Sequence, residues 1–162
     1  MSEEEKKPAE ETKEVDIYRD TPVRLLGYCN EVGESFRYLA PWFVKPSYAI
    51  SFAYVFADTY DKAMKQYKKD GNKTSKTLNI KAVDCLVWQT FASVVIPGFV
   101  INRIVKMSRM LFKTPAFKLV PTLIGLASIP LIVHPIDHSV DFAMDKSYRS
   151  YFKDESSTTE SK

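Results

Sequence analysis

At 162 residues the chain has the length of one domain. Its formal net charge of +3 is too small and too dispersed for a nucleic-acid-binding face. Its two cysteines, Cys29 and Cys85, are far apart, make no disulfide framework, and read as small buried hydrophobes.

Residues 1–15 are acidic and polar, with neither the apolar core of a signal peptide nor the acid-poor composition of a transit peptide. They read as disordered, as does the tail 154–162, leaving 16–153 as a single helical membrane domain. Thr21-Pro22 is a helix start, because Thr caps and Pro suits a first turn whose N–H is unpaired anyway. Leu25, Cys29, Val32, Phe36 and Leu39 then recur at helical spacing, with Arg24, Glu31, Glu34 and Arg37 off that stripe. The pattern predicts an amphipathic helix over about 22–40. Pro41, Lys45 and Pro46 break it, and Ser47 is placed to cap the next helix. That helix is apolar and aromatic in its first half and lysine-rich in its second. Extended back to Tyr38 it makes a candidate span, 38–57, with Lys45 inside it.

Gly71–Lys76 reads as a polar loop. Ala82–Ile101 follows, apolar except for Asp84 and long enough to cross a bilayer core of ~30 Å. Pro97-Gly98 is expected to kink or end it, and Met107–Phe112 to form a short interfacial helix with snorkelling bases. The connector carries Arg103, Lys106, Arg109, Lys113 and Lys118 without an acid. Leu119–Ile136 is the third candidate span, 119–136, and its Pro121, Pro130 and Pro135 argue against a straight helix. His138–Phe152 reads as a separate amphipathic helix. The fold class is therefore all-α: a small multi-pass membrane protein with kinked, proline-interrupted spans and amphipathic flanking helices. Basic segments follow both the first and the second candidate span, so charge alone does not orient the chain.

Chemistry has few footholds. His134 and His138 lie four apart, beside Asp137 and Asp141, a spacing at which two imidazoles on a helix share a metal. Pro135 disfavours that geometry, and a further ligand is needed, so the group reads as polar residues at a membrane boundary. Asp84 sits two residues into its span, where the helix N-terminus favours a carboxylate. Gln89 is deeper and reads as an interhelical hydrogen-bonding group. If both lined a path, the chain would be a small carrier or channel subunit. Asn72-Lys73-Thr74 matches a glycosylation sequon, and Lys62–Lys81 is basic enough to attract anionic lipid heads. No catalytic residue, resident metal, cofactor or small-molecule substrate is expected.

Three stretches together carry a resemblance: DIYRDTPVRLLGYCNEVGESFR (16–37), WQTFASVVIPGFVINR (88–103) and IPLIVHPIDHSVDFAMD (129–145). In this order they resemble the mitochondrial 18 kDa protein family, the mitochondrial fission process proteins. The resemblance covers about 16–150. It implies an integral protein of the mitochondrial inner membrane that promotes fission, is not an enzyme and has no assigned catalytic residues. The implied partners are the lipid bilayer and other inner-membrane or fission proteins.

Overall fold

Thr21 caps as its sequence position demands: its Oγ1 accepts a hydrogen bond from the Val23 N–H at 3.3 Å. Two glycines and clustered aromatics follow, and the chain winds first as a 3-10 segment, Pro22–Tyr28, before relaxing into the α-helix α1, Cys29–Ser35. These elements belong to a computed structural model that describes Tyr18 and residues 21–71, 76–114 and 117–152. The acidic segment 1–15, the sequon and the tail 154–162 lie outside the described residues.

The next helix, α2, spans Pro41–Lys69. It starts six residues earlier than the expected cap at Ser47. Pro41 occupies the first turn, where its missing N–H costs nothing, and Pro46 removes one bond that the rest of the helix outlasts. Ser47 does not cap; its hydroxyl donates back to the Val44 carbonyl at 2.7 Å. At the far end Gly71 turns the chain with a left-handed φ of 66°.

Helix α3, Lys76–Gln89, passes through a π-helical segment, Thr90–Val95, into α4, Ile96–Leu111. The three form one continuous helix, so Pro97-Gly98 neither ends it nor separates Met107–Phe112 as its own element. The reason is local. The π segment widens the hydrogen-bond register just before Pro97, and the Ile96 N–H reaches back five residues to the Phe91 carbonyl. The proline then falls where a helical N–H is not required. Helix α5, Val120–Lys146, likewise runs unbroken through Pro130 and Pro135, and helical turns continue over 148–152. The amphipathic C-terminal segment is thus the end of α5 and not a separate helix.

The described residues are helical, without a strand. Lys76–Leu111 and Val120–Phe152 pack as an antiparallel pair, and each is long and apolar enough to cross a membrane. Helix α2 runs beside the first of these. Tyr48 lies against Gly98, Asp58 bonds Gln89, and Gln66 accepts from Lys81 at 2.9 Å. The segment Pro22–Ser35 is wedged between them: Asn30 reaches Val94, and Ser35 lies against Gly125 and Val105.

This packing departs from that of a water-soluble bundle. Alongside apolar residues such as Val55, Val94, Ile101 and Val140, the buried residues include Asn30, Glu31, Glu34, Ser35, Ser47, Ser51, Asp58 and Gln89. The exposed ones include Leu25, Leu26, Trp42, Phe56, Phe91, Phe99, Leu123, Leu131 and Phe142. On Pro22–Ser35 the predicted arrangement is therefore reversed. Leu25 is 65% exposed, whereas Glu31 and Glu34, expected off the apolar stripe, are 0% and 2% exposed. Small residues at the crossings, Gly27, Gly33, Ser47, Gly98 and Gly125, let the backbones approach, as membrane helix interfaces do.

Candidate functional site: the polar interior of the bundle

Three carboxylates occupy the interior, each from a different helical turn and each treated differently. Glu34 is the best satisfied. Its carboxylate accepts two bonds from Arg37 (2.5 and 2.6 Å), one from Asn102 Nδ2 (2.9 Å) and one from the Tyr48 hydroxyl (3.1 Å). These four bonds supply the partners that a buried carboxylate needs. Arg37 remains 40% exposed, so the pair connects the interior to the end of the bundle that carries the basic connector.

Asp58 is fully buried and ties α2 to α3. Lys62 Nζ pairs with it at 2.7 Å from the next turn, Gln89 donates to it from α3, and Cys85 Sγ lies 3.7 Å away. Ser93 donates to the side-chain amide oxygen Oε1 of Gln89 at 2.7 Å and extends the chain of bonds into the π segment. Gln89 is thus the interhelical hydrogen-bonding group that its depth suggested.

Glu31 is the outlier. Neither oxygen has a hydrogen-bond partner among the described residues, although the side chain is 0% exposed. Its neighbour Asn30 donates twice: the backbone N–H bonds Ser51 Oγ at 2.9 Å, and Nδ2 bonds the Val94 carbonyl at 3.0 Å, which ties Pro22–Ser35 to the π segment.

The other sequence candidates lie elsewhere. Asp84 is bound by the Arg149 guanidinium through two bonds, 2.8 and 3.1 Å, while Asp141 and Asp145 each accept from Arg149 at 3.0 Å. Those three carboxylates, Asp84 foremost, hold the guanidinium above its ordinary pKa. The cluster ties the start of α3 to the end of α5, together with the Tyr148 hydroxyl donating to the Ile80 carbonyl at 3.0 Å. His134 and His138 both face outward and are exposed. Asp137 faces Arg24 at 3.6 Å, one helical turn before Asp141, which pairs with Arg149. Among the described residues no three His, Cys, Asp or Glu side chains converge as a metal site. Gln89 lines a cavity with Arg24 and Asp137, and Asp84 lines a groove at the lysine-rich end of the bundle.

Comparison with known proteins fits this arrangement to a family. The sequence profile described as Mitochondrial 18 KDa protein matches residues 17–85 and 72–144. A Caenorhabditis elegans protein called Mitochondrial fission process protein 1 is 49% identical over 157 residues, covering 91% of this chain and 95% of the relative. Its namesake in Danio rerio is 45% identical over 152 residues, covering 88% and 92%. The Homo sapiens protein of that name is 43% identical over 151 residues, covering 86% and 89%. The chain belongs to the mitochondrial 18 kDa protein family. No solved structure matches it.

Within this member of the 18 kDa family, Glu31 and Glu34 escaped the sequence reading because a charged residue off an apolar stripe normally marks the solvated face. The available signal was the small residues Gly27, Gly33 and Ser35, which allow close helix contact on more than one side.

Proposed function

We propose that this chain is a non-enzymatic integral protein of the mitochondrial inner membrane that promotes mitochondrial fission, by shaping the membrane or by recruiting partners. The relatives' name supports the role in fission. The observation that carries the membrane reading is the packing, with carboxylates and amides inside and Leu25, Phe91, Phe99, Leu123 and Leu131 outside. In water such a surface would aggregate; in hydrocarbon it is the favoured one. The two long helices have only 39% and 22% of their most apolar windows buried, far less than the core helix of a soluble protein would have.

The dimensions agree. Lys81 and Arg103 bracket the apolar part of Lys76–Leu111, 22 residues apart, or about 33 Å of helix. That matches a hydrocarbon core of ~30 Å. Aromatic and basic residues gather beyond each end: Arg109 lies over the Tyr38 ring at 5.5 Å near the connector, and Lys62, Lys81, Trp88 and Tyr148 meet at the other end. Because α2 runs beside Lys76–Leu111 between these levels, 38–57 makes a third crossing, with Pro22–Ser35 embedded at the same depth.

The test has two parts. The protein should resist alkaline carbonate extraction from mitochondria, and its removal should elongate the mitochondrial network. In a background with Cys29 and Cys85 replaced by serine, single cysteines at Tyr38 and Gly71 should label from opposite faces of mitoplasts. Release by carbonate would defeat the membrane reading. Labelling of both cysteines from one face would reduce the long helices to two crossings.

A further inference from the structure

A groove of about 600 Å³ opens at the lysine-rich end of the bundle, walled by the C-terminal half of α2, the start of α3 and the helical turns over 148–152. Its floor is apolar and aromatic: Ile80, Cys85, Trp88, Tyr148 and Phe152. Its rim is cationic: Lys62, Lys65, Lys69 and Lys81, with Arg149 at one side. The charges are not all balanced from within. Lys62 pairs with Asp58, Lys65 with Asp61, and Arg149 with Asp84, Asp141 and Asp145. Lys81 instead donates to a neutral amide, Gln66 Oε1, and Lys69 has no carboxylate partner among the described residues. The stretch Asp58–Lys81 as a whole carries seven lysines and three aspartates.

Position adds a second constraint. Lys81 immediately precedes the apolar run Ala82–Ile101, so the rim lies at headgroup depth and the floor descends toward acyl-chain depth. We propose that this groove binds an anionic phospholipid, its phosphate held at the rim by Lys69 and Lys81 and an acyl chain laid along Ile80, Trp88 and Phe152. A soluble anion would use the rim and leave the aromatic floor empty; a neutral lipid would use the floor and leave the two lysines uncompensated. The groove accepts a ligand of this size, since small-molecule sites range over about 300–1,000 Å³. A basic pocket between membrane helices is a recurrent mode of anionic-headgroup recognition.

The proposal rests on the membrane reading, and its test separates the two. Full-length protein is reconstituted in nanodiscs of equal parts phosphatidylcholine and phosphatidylglycerol. Lipids retained after release are then counted by native mass spectrometry, with carbonate extraction run on the same variants. At least tenfold enrichment of phosphatidylglycerol is expected, falling to the nanodisc ratio in Lys69→Glu/Lys81→Glu. Lys113→Glu/Lys118→Glu, which alters charge in the connector and not in the groove, should keep the enrichment. Equal retention of the two lipids, or equal loss in both double variants, would overturn the proposal and indicate only diffuse attraction to basic helix ends. Displacement of the bound lipid by millimolar inorganic phosphate would overturn it in favour of a soluble-anion site. Normal extraction resistance in the groove variant would show that any loss belongs to the groove and not to membrane insertion.

Discussion

Gly33→Leu is expected to prevent the bundle from assembling. Gly33 is where α1 crosses α2, and a Cβ built there would stand 2.7 Å from the Ser47 Cβ and 3.5 Å from the Val44 Cα. Ser47 has nowhere to move, because it is 0% exposed and its hydroxyl is committed to the Val44 carbonyl. Overpacking typically costs 1–3 kcal/mol, and a leucine forced against backbone lies at or beyond the upper end. Set against a total stability of about 5–15 kcal/mol, a loss of about 3 or more should remove most monodisperse protein from a detergent extract. Even Gly33→Ala should destabilise, although alanine gains about 1 kcal/mol of helix propensity over glycine. Gly71→Ala is the matching control. It has open space around it and only the strain of its positive φ to pay, so its melting temperature should fall by a few degrees at most. Equal yields and melting temperatures for Gly33→Leu and the parent would show that α1 does not cross α2 at this point.

How much of this was legible before the structure depends on which force decides each feature. Ala82–Ile101 and Leu119–Ile136 announced themselves because hydrocarbon thickness sets a length, and length can be counted along a chain. The all-helical class follows from the same requirement, that backbone groups in lipid be satisfied within the segment. Helix boundaries at prolines were less readable. Pro46, Pro97, Pro130 and Pro135 all lie inside continuous helix, because each removes one bond while the surrounding packing retains the rest. At Pro97 the compensating device is the π segment, which no residue pattern in Thr90–Val95 advertises. The orientation of Pro22–Ser35 was hidden for a different reason. Periodicity reveals that a helix has two faces, but which face points inward depends on whether the outside is water or lipid. With lipid as the proposed outside, Leu25 and Leu26 face it, Asn30 and Glu34 find partners within, and Glu31 is buried without one among the described residues. The pairing of Asp84 with Arg149 spans 65 residues and is set by how the two long helices meet, which no local motif encodes.

The Asp58 network should show a marked asymmetry between its two charged partners. Asp58 is 0% exposed, whereas Lys62 is 24% exposed and reaches it from the adjacent turn of the same helix. Lys62→Met leaves a carboxylate in the interior with only Gln89 and Cys85 as neighbours, and one of its oxygens, Oδ1, has no partner to begin with. Stranding a buried charge in this way costs about 3–5 kcal/mol. Asp58→Asn strands nothing comparable, because the lysine swings toward the headgroup level and the amide still accepts from Gln89; about 1 kcal/mol is expected. The double variant Lys62→Met/Asp58→Asn should recover about 2 kcal/mol of the loss of Lys62→Met, giving a coupling energy of about 3 kcal/mol in a thermodynamic cycle. Denaturation of the solubilised variants measures all three. A Lys62→Met penalty no larger than that of Asp58→Asn would mean that the carboxylate is neutral or solvated in the folded bundle, and that the lysine serves the rim of the groove alone. The network also joins α2 to α3 directly below that rim. Mitochondrial fission in cells expressing Lys62→Met should therefore fall in parallel with folded protein, and the double variant should restore both together.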